Sequence, residues 1–181
     1  THSIFVIHYN NLMDNSVIEK KHNKIAVIGA GPAGLMAAEL LSQKGYPVTL
    51  FDSMPTAGRK FLIASKGGLN LTHSMPINLF LSKYREREDV LKPFLTRFGQ
   101  EELRNWISGL GFPTFEGSSG RVFPESMNSG ETLHTLIQRL LSRSVQVLFK
   151  HKWTGWDENH NQCFETDGGL LAIHFDAVVF A

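Results

Sequence analysis

Lys24-Ile25-Ala26-Val27-Ile28-Gly29-Ala30-Gly31-Pro32-Ala33-Gly34 is the stretch whose reading decides the fold. Its first five residues form an apolar, β-branched run of strand length. The next six fit the pattern G-x-G-x-x-G. A helix follows, carrying Leu35, Met36, Ala38, Leu40 and Leu41, and Gly45 stands where a C-terminal cap is expected. Val48-Thr49-Leu50-Phe51 is a second strand, and Asp52 closes it.

Each residue type in this βαβ unit has a physical reason. Gly29 permits the tight turn, Gly31 lets a pyrophosphate approach the backbone, and Gly34 lets the helix pack closely on the strand. Pro32 suits a first helical turn, where the missing N–H costs nothing. Ala30 and Ala33 fill the variable positions. The free amides and positive end of the helix then face an anion, with ~0.3–1 kcal/mol from the dipole alone. Asp52 lies at the spacing at which an acid accepts hydrogen bonds from ribose hydroxyls, and it would repel a 2′-phosphate there. The motif leaves open whether the dinucleotide is NAD or FAD. A tight turn in some other α/β protein is the competing reading.

The 181 residues suit one domain, and a formal net charge of +1 makes no electrostatic case for nucleic acid or an anionic membrane. We therefore expect neither as a partner. No apolar run in the sequence has the length of a bilayer span. The single cysteine, Cys163, excludes an internal disulfide and agrees with a reducing, cytoplasmic compartment. It sits in an alternating segment, as a packed strand residue does.

Residues 1–23 hold a short apolar patch, Ile4-Phe5-Val6-Ile7, ahead of a polar run, and read as an extension or linker. After Asp52 and Ser53 comes Gly58-Arg59-Lys60. Two adjacent cations just beyond the ribose acid can reach a pyrophosphate or a flavin edge, or form a solvated pair. Gly67-Gly68 then offers close backbone approach to a ligand, or a plain loop. From Pro76 to Leu110 the pattern is helical. Val90, Leu91, Phe94, Leu95 and Phe98 recur at helix spacing, followed by Leu103, Trp106, Ile107 and Leu110, and we expect these to be core. Arg85 to Asp89 reads as a solvated face. Thr114-Phe115 against Arg121-Val122-Phe123 forms a hairpin; Arg121 is a candidate anion contact or a surface ion pair. A helix over Gly130–Ser142 leads to a buried strand, Val145–Phe149. Asp157–Asn161 and Asp167-Gly168-Gly169 are turn chemistry separating three antiparallel strands. Asp176–Ala181 is expected to be another buried parallel strand.

The blocks Gly58-Arg59-Lys60, Asn70-Leu71-Thr72-His73 and Gly120-Arg121-Val122-Phe123-Pro124 resemble the signatures of a bacterial NAD(P)/FAD-dependent oxidoreductase family. Its members include aminoacetone-oxidase-like flavoproteins and a bile-acid-pathway reductase. The similarity covers about Lys24 to Ala181. It implies an α/β fold of the glutathione-reductase type: an FAD-binding Rossmann domain with a parallel sheet plus a three-stranded antiparallel meander. A helical and hairpin insertion is expected at about 76–128. The resemblance also implies a substrate domain and a final flavin-binding segment that residues 24–181 lack, so the domain reads as truncated. Many members place Arg-Cys before the matching Asn, where this chain has Gly68-Leu69, so substrate class does not carry across.

The expected cofactor is therefore FAD, with NAD(P)H as a candidate reductant and a small organic molecule as substrate. The expected chemistry is hydride transfer, and the alternative is a non-catalytic nucleotide-binding remnant. The candidate cofactor-binding residues are Gly29, Ala30, Gly31, Pro32, Ala33, Gly34, Asp52, Ser53, Gly58, Arg59, Lys60, Asn70 and Trp153. Trp153 joins them because the resembled fold pairs the backbone at the start of the meander with adenine. Packing across the sheet is the other role open to Trp153 and Trp156. His73 ends the loop expected beside the flavin. The histidines are scattered, without metal-ligand spacing, and no catalytic acid or base stands out. The oligomeric state is not readable.

Overall fold

The computed structural model describes residues 23–65 and 68–181. The apolar patch Ile4–Ile7, nearly all of the expected extension, and Gly67 lie outside the described residues. In chain order the elements are β1 (Ile25–Ile28), α1 (Pro32–Gln43), β2 (Val48–Asp52), α2 (Arg59–Ala64), β3 (Thr72–His73), α3 (Ile77–Ser82), a 3₁₀ turn (Arg85–Arg87), α4 (Glu88–Arg97), α5 (Gln100–Gly109), β4 (Thr114–Glu116) and β5 (Arg121–Pro124). They continue with α6 (Ser129–Ser142), β6 (Gln146–Phe149), β7 (Lys152–Trp156), β8 (Gln162–Thr166), β9 (Gly169–Ile173) and β10 (Ala177–Phe180). The chain divides into two compact units: residues 23–61 with Leu136–Ala181, and Leu62–Thr135.

The first unit is built on a parallel sheet of order β10-β1-β2-β6. Ile25 pairs with Val48 on one side and Ala177 on the other, and Asp52 pairs with Phe149. The crossover from β6 to β10 is the antiparallel meander β7-β8-β9. Its first turn closes because the Asp157 carboxylate accepts from the Asn159 and Asn161 amides at 2.9 and 2.8 Å and from Asn161 Nδ2 at 2.9 Å. These bonds, the Asn161 side chain first, hold the Asp157 carboxyl below the usual carboxylate range.

Strand alternation splits the core across this sheet. Ala26 and Phe51 cluster with Phe164 and Phe175, and Phe51 stacks on Phe164 with centroids 4.1 Å apart. Each such ring contributes about 1.5–3 kcal/mol by burial. α1 packs on β1 and β2, burying Leu35, Ala38 and the charged Glu39. Glu39 Oε1 receives Arg139 of α6 at 2.8 Å, Arg143 of the turn just after α6 at 2.7 Å, and Gln43 Nε2 at 2.9 Å. The outer strands β6 and β10 are half-buried or exposed along their length rather than buried; among the described residues each has a neighbouring strand on one side only.

The second unit carries a three-stranded sheet of order β3-β5-β4. The expected hairpin is present, with Phe115 opposite Phe123. Thr72-His73, expected as part of a loop, is a strand paired with Val122 and Arg121. The core expectation holds for Ile107 and Leu110 but fails on α4 and at its C-cap, where Val90, Phe94 and Phe98 are 58%, 67% and 40% exposed. Periodicity makes a stripe; only a packing partner buries it, and no described element covers this one.

Candidate functional site

The three glycines of the first βα turn sit in three different environments. Gly29 has φ +108°, and a Cβ there would meet the Ala181 carbonyl oxygen at 2.2 Å. A Cβ on Gly34 would lie 1.8 Å from the Gly29 oxygen, so its absence is what lets α1 sit on the turn. Gly31 is extended, with φ −77° and ψ −179°, and a Cβ there would have nothing within 4 Å. Nothing in the fold requires glycine at Gly31, which borders open space.

That space is lined by hydrogen-bond donors. The first helical bond of α1 runs from Leu35 N to the Gly31 oxygen at 2.9 Å. The amides of Gly31, Ala33 and Gly34 precede it and have no acceptor among the described residues, and Pro32 has no N–H. An exposed α1 N-terminus with free amides accommodates an anion.

Asp52 at the tip of β2 turns toward this loop. Its Oδ2 accepts from Ala30 N at 2.7 Å and its Oδ1 from Met54 N at 2.8 Å. The carboxylate is half-buried and thereby oriented by two backbone donors, with lone pairs left for a hydroxyl-bearing ligand. The Gly58 N–H donates to the Ala30 oxygen at 2.8 Å, so a third segment closes on the same turn. His151 N donates to the Asp52 oxygen at 2.9 Å, which brings the start of the meander to the acid-bearing strand tip. Sequence reading did not single out His151; its place directly after β6 was the available signal.

The structure thus brings together Gly29, Ala30, Gly31, Pro32, Ala33, Gly34, Asp52 and Gly58. Ser53 is exposed beside Asp52, and Arg59 and Lys60 are exposed in the first turn of α2. Trp153 is half-buried: its Nε1 donates to Gln162 Oε1 at 3.0 Å, and its ring packs edge-on against Trp156 and Phe180 at 4.8 and 4.7 Å. The packing role therefore occupies its side chain, while its backbone belongs to β7. Asn70 lies in the second unit, exposed, with its amide bonded to the Gly68 oxygen at 3.0 Å. His73 Nδ1 accepts from Met75 N at 3.0 Å. Arg121 is exposed and forms no ion pair among the described residues. Among the described residues no group of three His, Cys, Asp or Glu is placed to hold a metal ion. No described helix is long and apolar enough to cross a membrane.

A parallel sheet entered through a glycine-rich turn, an acid at the next strand tip and an antiparallel crossover define a Rossmann-type domain. The chain belongs to the HI0933-like protein Rossmann domain family, which it matches over residues 23–181. It is 60% identical over 35 residues to the NADP(+)-dependent formate dehydrogenase subunit beta of Moorella thermoacetica, covering 19% of this chain and 5% of that one. It is 28% identical over 104 residues to the ribosomal RNA dihydrouridine synthase of Haemophilus influenzae, covering 57% of this chain and 25% of that one. Its fold is similar to a flavocytochrome c3 fumarate reductase, with a TM-score of 0.61 at 17% identity over 87% of this chain and 33% of that one. The chain thus spans a quarter or less of these two curated relatives and a third of that structure.

Proposed function

We propose that this chain is the FAD-binding part of a cytoplasmic flavin-dependent oxidoreductase of the aminoacetone-oxidase-like type. It would act by hydride transfer between FAD and a small organic substrate or NAD(P)H. The observation that carries the reading is the open space at Gly31, bordered by free α1 amides and by a carboxylate aimed at the same turn. These residues fit the ADP half of FAD: a Cβ-free approach for the diphosphate, unpaired N–H donors for its oxygens, and Asp52 for the ribose. Gly31, Ala33 and Gly34 would hold the diphosphate, and Arg59 and Lys60 would add positive charge. The backbone at Lys152-Trp153 is the candidate adenine contact, and Asn70 a candidate contact for the flavin end. When bound, FAD supplies two-electron redox chemistry at its ring, and the protein supplies binding and orientation. The cofactor-binding domain would run over 24–181, with residues of about 76–128 as an insertion.

The complete protein should purify yellow, with flavin released on denaturation and identified as FAD by spectrum and mass. A colourless protein that FAD does not reconstitute refutes the proposal. The 28% identity to a ribosomal RNA dihydrouridine synthase favours one second reading, in which the acceptor is the C5–C6 double bond of a uridine in RNA. Reduced protein incubated with RNA would then yield dihydrouridine, detected by nucleoside mass spectrometry; oxidation of the flavin by small molecules but not by RNA supports the first reading.

A further inference from the structure

The second unit contains a cavity of about 530 Å³ between β3, α5, β4 and β5, a size typical of small-molecule sites. One face of α5 lines it, with Gln100, Glu101, Arg104, Asn105 and Ser108 at helical spacing. Val122, fully buried, and Pro113 add apolar surface.

Arg104 is half-buried, and its Nε donates to Thr114 Oγ1 at 3.0 Å. That bond fixes the guanidinium plane and leaves the terminal nitrogens uncommitted. Among the described residues no carboxylate lies within 4.0 Å of it. A partly desolvated cation without an anion is costly, and a bound carboxylate would relieve it. The Asn105 and Ser108 side chains also make no hydrogen bonds among the described residues. Gln100 Nε2 is committed to the carbonyl oxygens of His73 and, at 2.9 Å, Met75, leaving its Oε1 as an acceptor beside Glu101. The lining therefore offers acceptors at the start of α5 (Gln100 Oε1, Glu101) and donors further along it (Arg104, Asn105, Ser108).

We propose that this cavity binds a small hydroxylated carboxylate, its carboxylate on Arg104 and its hydroxyl groups shared between Asn105, Ser108, Gln100 and Glu101. An inorganic phosphate offers mostly acceptors and so leaves the acceptors Gln100 Oε1 and Glu101 without donors, which the hydroxyl groups of a hydroxy acid supply; an apolar ligand would leave the Arg104 terminal nitrogens, Asn105 and Ser108 unpaired. The site lies wholly in the second unit and does not rest on the flavin reading.

The test is calorimetric titration of the complete protein with L-malate, L-tartrate and citrate at matched ionic strength, with sodium chloride as the blank. At least one should bind saturably. Arg104→Gln should weaken that binding about tenfold or more, the loss of a charge-assisted pair. Asn105→Asp, at an exposed position where folding is insensitive, should weaken it comparably by placing a second carboxylate in the cavity, and Asn105→Lys should strengthen it. No saturable binding of any of the three acids overturns the proposal, as does binding that neither Arg104→Gln nor Asn105→Asp weakens.

Discussion

Gly31 and Gly34 belong to one motif, yet alanine at each should fail in opposite ways. At Gly31 the backbone is extended and a Cβ has nothing within 4 Å, so the folded state accepts it. Alanine is a poorer N-cap than glycine by about 0.5 kcal/mol, whereas the less flexible unfolded chain returns ~0.4–1 kcal/mol. The two nearly cancel, and the melting temperature of the flavin-free protein should move by no more than about 3 °C. The methyl group nevertheless occupies the space a diphosphate needs. FAD affinity, measured by fluorescence quenching, should fall about tenfold or more, equal to ~1.4 kcal/mol. At Gly34 the Cβ would lie 1.8 Å from the Gly29 oxygen and 3.0 Å from its carbon, both rigid backbone atoms. Overpacking of that kind costs about 1–3 kcal/mol or more, and it should lower the melting temperature whether or not FAD is present. Unchanged FAD binding by Gly31→Ala would refute the argument that glycine there serves a ligand. Normal stability of Gly34→Ala would refute the packing argument.

Asp52→Ala should weaken ADP binding by ~1.5–3 kcal/mol, the range for a hydrogen bond to a charged group; calorimetry on a folded variant with unchanged affinity would remove the ribose assignment. Glu39→Ala strips the buried acceptor of Arg139, Arg143 and Gln43, and denaturant melts should show a loss of about 3 kcal/mol. A loss below ~1 kcal/mol would mean the cluster is dispensable. The Asp157 carboxyl is held low in the folded protein, so its contribution is complete above the unfolded pKa of about 3.9 and is lost as pH falls through the lower folded value. Amide exchange at Asn161 should therefore keep its protection from neutral pH down to about 4; protection already lost between about pH 7 and 5 would contradict the turn assignment.

How much was legible depended on whether a feature is carried by neighbouring residues. The βαβ unit, its three glycines, Asp52 and the meander are local patterns. Apolar runs, turn residues and fixed spacing encode them because steric limits on φ and ψ and strand alternation act over a few residues. The expected cofactor class followed from a family resemblance, and the match over residues 23–181 is to a Rossmann domain family. Tertiary structure decided the rest. Thr72-His73 is too short to announce itself as a strand, and its partner lies some fifty residues onward. Glu39 looks like a surface helix residue until α6 and the turn after it deliver two arginines about a hundred positions later. The stripe of Val90, Phe94 and Phe98 has core spacing, but burial depends on an opposing surface, which no spacing specifies. The cavity at Arg104 gathers four separate segments, from β3, α5, β4 and β5, whose spacing along the chain does not announce their meeting. A sequence reports what each residue does to its neighbours; charge pairing, burial and enclosure depend on distant groups, and only folding brings those together.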